Sequence, residues 1–105
     1  MLASLAEGES PQRPALRGAV RALLADLAAA APGRSVEVRV PPFGAIQCVE
    51  GPRHTRGTPS NVVEMDPVTF VEVSAGRLSW ADALKDGRIR ASGIRANISY
   101  LFPII

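Results

Sequence analysis

The stretch from Ser74 to Phe102, SAGRLSWADALKDGRIRASGIRANISYLF, constrains the fold more than any other part of the chain. Gly76 and Gly87 stand where helices stop, and Gly93 stands where a strand breaks. Ser79 opens a capping box with Asp82, and Leu78 just before it can staple onto the helix that follows. Arg88 to Ser92 alternates, with Ile89 and Ala91 on one face. Ile94, Ile98, Leu101 and Phe102 then recur at helical spacing, which predicts a closing helix. Elements this short can bury their apolar sides only against a shared layer, so the segment predicts a small domain mixing helices and strands.

The upstream sequence supplies the rest of that layer. Pro14 suits a first helical turn, where its missing N–H has no partner to lose. From Ala15 to Ala31, Leu16, Val20, Leu23, Leu24, Leu27 and Ala31 recur at three- and four-residue steps and make one apolar face. Pro32-Gly33 ends that helix. The period then switches to two: Val36, Val38 and Val40 point one way, Glu37 and Arg39 the other. Pro41-Pro42-Phe43-Gly44 turns the chain into a second strand, Ala45 to Glu50, which pairs antiparallel with the first. Asn61 to Met65 reads as another strand. Asp66-Pro67 has the chemistry of a helix start, with Asp66 as cap, and the helix runs to near Gly76.

The resulting order is helix, hairpin, strand, two short helices, strand and terminal helix. It predicts an α+β fold with a mainly antiparallel sheet of four to five strands, covered on one face by helices. The fifth strand would fall on Gly51 to Ser60, the longest polar stretch between elements. Residues 1–12 read as a flexible N-terminal arm and residues 13–105 as one domain, a normal size for a single core.

Charge and composition exclude several function classes. The net charge is only +2, and the eleven Arg residues form no dense run with aromatics between them, so no nucleic-acid partner is expected. One cysteine, Cys48, rules out an internal disulfide and a thiolate-rich metal site. No apolar run reaches the length of a membrane span, and the N-terminus lacks the basic start of a secretory signal, so the expected location is cytoplasmic. No cofactor fingerprint, metal-ligand set or catalytic constellation is present, and the expectation is a protein that is not an enzyme.

The run VVEMDPVTFVEVSAGRLSWADALKDGRIRASG, Val62 to Gly93, resembles the sterol-carrier-protein (type 2) domain family. The matching features are a strand meeting a polar helix start at Met65-Asp66, a short helix at Phe70 to Ala75, and the Gly76-Arg77-Leu78 step. A second short helix, Gly87, a strand and Gly93 follow in the family's order. Within the family the resemblance points to small actinobacterial sterol-carrier-like proteins. It implies binding of a lipid, fatty-acyl or sterol-like molecule between the sheet and the short helices. It also leaves a second role open, as an interaction or enzyme-associated module of the same fold with its pocket closed.

Two groups of candidate site residues follow. Phe70, Val73, Trp80, Leu84, Ile94, Ile98, Leu101 and Phe102 are the candidate wall of an apolar ligand site, although each of them taken alone reads first as ordinary core. Arg53, His54 and Arg56 form a basic loop that is either solvated or grips a carboxylate or phosphate. The apolar ending YLFPII covers a core edge, closes a pocket as a lid, or makes a self-association patch, which would give a homodimer.

Overall fold

A computed structural model describes residues 13–51 and 61–105. The described residues begin with helix α1 (Arg13–Ala30), followed by strands β1 (Val36–Val40), β2 (Gly44–Cys48) and β3 (Val62–Met65). Helices α2 (Pro67–Ser74) and α3 (Trp80–Lys85) lead to β4 (Ile89–Ser92) and a single 3-10 turn at Ser99–Leu101. The predicted arm at residues 1–12 and the stretch 52–60 lie outside the described residues.

The strands form one sheet in the order β2-β1-β3-β4. β1 pairs antiparallel with β2, and β3 antiparallel with β4, but β1 and β3 run parallel, with Val38 beside Val63. The sheet is therefore mixed rather than mainly antiparallel, and four strands, not five, are present among the described residues. A tight turn forces β1 and β2 antiparallel. No such constraint links β1 to β3, which lie far enough apart in the chain to allow either direction.

Period-two burial fixes the two faces of the sheet. Val36, Val38, Val40, Cys48, Val63, Met65 and Ile89 are buried on the inner face. The outer face carries Glu37, Arg39, Glu64 and Arg90, joined as the ion pairs Arg39–Glu37 and Arg90–Glu64. These pairs are solvent-exposed enough to add little stability, but they keep that face wet. All the helices among the described residues therefore pack on the other side. α1 contributes Val20, Leu23, Leu24 and Leu27, the four residues predicted from its periodicity that are fully or almost fully buried. Among the described residues no helix is long and apolar enough to cross a membrane.

Asn61 ties three segments together from a buried position. Its Nδ2 donates to Ser35 O at 2.9 Å, its Oδ1 accepts from Arg95 N at 3.0 Å, and its own carbonyl accepts from Glu37 N at 3.0 Å. Asn61→Leu keeps the branched side-chain shape but removes the partner of the Ser35 carbonyl and of the Arg95 N–H. It should destabilise the domain by about 3 kcal/mol in urea unfolding, and a loss under about 1 kcal/mol would show that the knot is dispensable.

The predicted closing helix is absent. Residues 94–95 form a turn closed by Ala96 N donating to Gly93 O at 3.2 Å, residues 96–98 are irregular, and only one 3-10 turn follows. Asn97 Oδ1 accepts from Ser99 N at 3.2 Å, so a side chain takes the place of helical backbone bonding. Ala96 and Ile98 alone reach the core, while Ile94 is 98% exposed. The chain then docks back on α2, where Ile104 N and Ile105 N both donate to Ser74 O, at 2.8 and 3.0 Å.

Candidate functional site

Local chemistry at the two short helices determines where a site can form. Asp66 caps α2, with Oδ2 accepting from Thr69 N at 3.1 Å. The buried Thr69 hydroxyl donates to Asp66 Oδ1 at 2.5 Å and accepts from Arg88 Nε at 2.9 Å. Arg88 also pairs with Glu72 at 3.5 Å. This chain of contacts fixes the start of α2 to the turn that enters β4. Ser79 caps α3, its Oγ accepting from Asp82 N at 3.1 Å. Both caps stand where the sequence predicts them.

The C-terminal segment is bonded to the end of α2 at Ser74, but beyond that contact it, the end of α2 and the start of α3 leave space unfilled. Between them lies a half-open cleft of about 270 Å³, lined by Val73, Gly76, Leu78, Ser79, Trp80, Ser99, Phe102 and Pro103. Trp80 and Phe102 form its aromatic wall, with ring centroids 5.6 Å apart and planes tilted by 34°. Phe70 supports Phe102 edge-on from the core, at 6.4 Å and 83°. Gly76 lies opposite Pro103: a methyl group built on it would sit 3.5 Å from Pro103 Cβ, already in contact across the gap. The lining is mostly apolar, carries no charged side chain, and offers two hydroxyls, Ser79 and Ser99. Because Ser79 Oγ accepts at the helix cap, its proton is free to be donated outward.

The predicted wall residues divide into three groups. Val73, Trp80 and Phe102 line the cleft. Phe70 and Ile98 are fully buried core, and Leu101 is half-buried against it. Leu84, at 45% exposure, and Ile94 lie on the surface and not in the wall, because α3 turns Ala83 rather than Leu84 inward and the segment after Gly93 is not helical. The anion-binding candidates Arg53, His54 and Arg56 lie outside the described residues. Gly76, Leu78, Ser79, Ser99 and Pro103 complete the site; in the sequence Gly76, Leu78 and Ser79 read only as a stop, a staple and a cap, Pro103 only as part of the apolar ending, and Ser99 carries no signal. The signal for the first three was their clustering at element junctions, where side chains are small and backbones cannot close-pack.

Cys48 is buried in β2, and burial pushes its thiol up from 9.0 to about 11. The folded protein therefore holds this proton more tightly than the unfolded chain. The resulting stabilisation is full below pH 9 and is lost as pH rises toward about 11. A thiol reagent at pH 8 should label Cys48 at least ~100-fold more slowly in the folded protein than in urea; equal rates would place the thiol at the surface.

The family model described as bacterial SCP ortholog matches residues 12–104. No curated protein matches the chain.

Proposed function

The chain belongs to the bacterial SCP ortholog family, a sterol-carrier-protein-like family, and from that membership and the cleft we propose that it binds a small apolar ligand without catalysing a reaction. The observation that carries this reading is the aromatic–aliphatic cleft whose lining holds two hydroxyls and no charge. Such a surface recognises shape and burial, with a neutral polar group of the ligand turned toward Ser79 or Ser99.

Magnitudes narrow the ligand class. At about 270 Å³ the cleft sits just below the usual range of small-molecule pockets, about 300–1,000 Å³. It takes a short acyl chain or part of a larger lipid, not an entire sterol. If roughly 200 Å² of apolar surface leaves water at about 25 cal/mol per Å², burial contributes ~5 kcal/mol, which before the entropy cost of association sets a Kd no tighter than ~0.2 mM.

Trp80 is the chain's only tryptophan and stands in the wall, so its fluorescence reports occupancy directly. Titration with 1-octanol should shift Trp80 emission saturably. Octanoate at pH 7 should bind about fivefold more weakly, because its carboxylate meets no cation in the lining. A linear, non-saturating response to both compounds would remove the carrier reading.

A second reading has its own support. Tyr100 and Ile105 are 69% and 66% exposed on the same C-terminal segment that walls the cleft. An apolar side chain of a partner protein, or of a second copy, could then occupy the cleft in place of a lipid. Light scattering separates the two: a monomer that binds octanol favours the carrier, and a dimer that octanol does not perturb favours the module.

A further inference from the structure

Arg13, Arg17 and Arg21 stand at four-residue steps on α1 and, with Pro42 and Phe43, line a separate concavity of about 320 Å³. It shares no lining residue with the apolar cleft. Four-residue steps place successive side chains on one helix face, about 6 Å apart along the axis, where like charges repel. Among the described residues no carboxylate pairs with these three, whereas Arg39, Arg88 and Arg90 each have one.

Phe43 instead draws the outer two charges together. The Arg13 guanidinium lies over the Phe43 ring, 5.1 Å from its centroid, a cation–π contact. Arg21 Nε donates to the Phe43 carbonyl at 3.3 Å, which leaves its two terminal amino groups for a ligand. The Phe43 ring is itself buried, so the core fixes the position toward which both side chains bend. Arg17 lies between them along the helix and makes no hydrogen bond or ion pair among the described residues.

We propose that this groove binds a compact anion carrying two or three adjacent phosphates, as the diphosphate or triphosphate group of a small molecule. Guanidinium forks match phosphate oxygens in bidentate pairs. A single phosphate, with up to about two negative charges, leaves at least one of the three positive charges unbalanced, and a concave site suits a compact ion better than a flat charged surface. The net charge of the chain is only +2, so the attraction is local to the groove.

Sodium tripolyphosphate, titrated into the full chain by calorimetry with amide chemical shifts read in parallel, tests this. Saturable binding is expected, with shifts centred on residues 13–21 and 42–43. Orthophosphate should bind at least tenfold more weakly, and raising salt from 50 to 200 mM should weaken tripolyphosphate at least fivefold. Arg17→Gln should lower affinity at least fivefold, with Arg17→Lys restoring only part of it, while Arg34→Gln on the following loop leaves it unchanged. Shifts in the unmodified protein decide the matter even where a variant folds poorly. Absence of saturable binding, equal losses in Arg17→Gln and Arg34→Gln, or binding to phosphatidylglycerol vesicles but not to tripolyphosphate would each overturn the proposal.

Discussion

Gly33→Ala is expected to cost roughly 3–5 kcal/mol, a large part of the total stability of a domain this size. Gly33 carries the chain from α1 to β1 directly against the end of β2. A Cβ there would lie 2.1 Å from Val49 O and 2.2 Å from Val49 C, both backbone atoms that cannot turn aside. Its φ of +149° adds strain for any residue with a side chain. Val49 cannot yield, because it is itself held at φ 67° by surrounding bonds. Its N–H donates to Ala31 O at 2.7 Å, and its carbonyl accepts from Ser35 N at 3.1 Å and Ser35 Oγ at 2.8 Å. Thermal unfolding by circular dichroism should show a midpoint lower by ~15 °C or more. A drop of only a few degrees would mean that the α1–β1 and β2 ends separate easily.

Filling the cleft should abolish binding without this structural damage. Ser99 lines the cleft from the 3-10 turn and is only half-buried, so Ser99→Trp adds a ring to the open space rather than to packed core. Affinity for 1-octanol is expected to fall at least tenfold, ~1.4 kcal/mol, with little change in the urea midpoint. Leu78→Trp, from the opposite wall, should act in the same way. Unchanged affinity in both variants would place the ligand elsewhere.

Much of this architecture was legible because single residues decide it. The α1 face follows from Val20, Leu23, Leu24 and Leu27, and the inner face of β1 from Val36, Val38 and Val40; all seven are buried. Asp66 and Ser79 act as the caps their side chains suit. The direction of β3 against β1 was not legible, since it is decided by hydrogen bonding across a long connection rather than by any local pattern. The helical spacing of Ile94, Ile98, Leu101 and Phe102 misled for a different reason. Spacing shows which side chains share a helical face, but only tertiary contacts show whether that face has anything to pack on. Ile98 has such contacts and Ile94 has none. In the cleft, the large residues Val73, Trp80 and Phe102 could be singled out as wall. The space itself is made by Gly76, Ser79 and Ser99, whose small size carries no pattern of its own.

Amide chemical-shift mapping of the 15N-labelled chain during a 1-octanol titration locates the ligand directly. If the cleft is the binding site, saturable shifts are confined to Val73, Gly76, Leu78, Ser79, Trp80, Ser99 and Phe102, with α1 and the outer sheet face unmoved. Saturable shifts centred anywhere else, or none at concentrations well above ~0.2 mM, would contradict that reading.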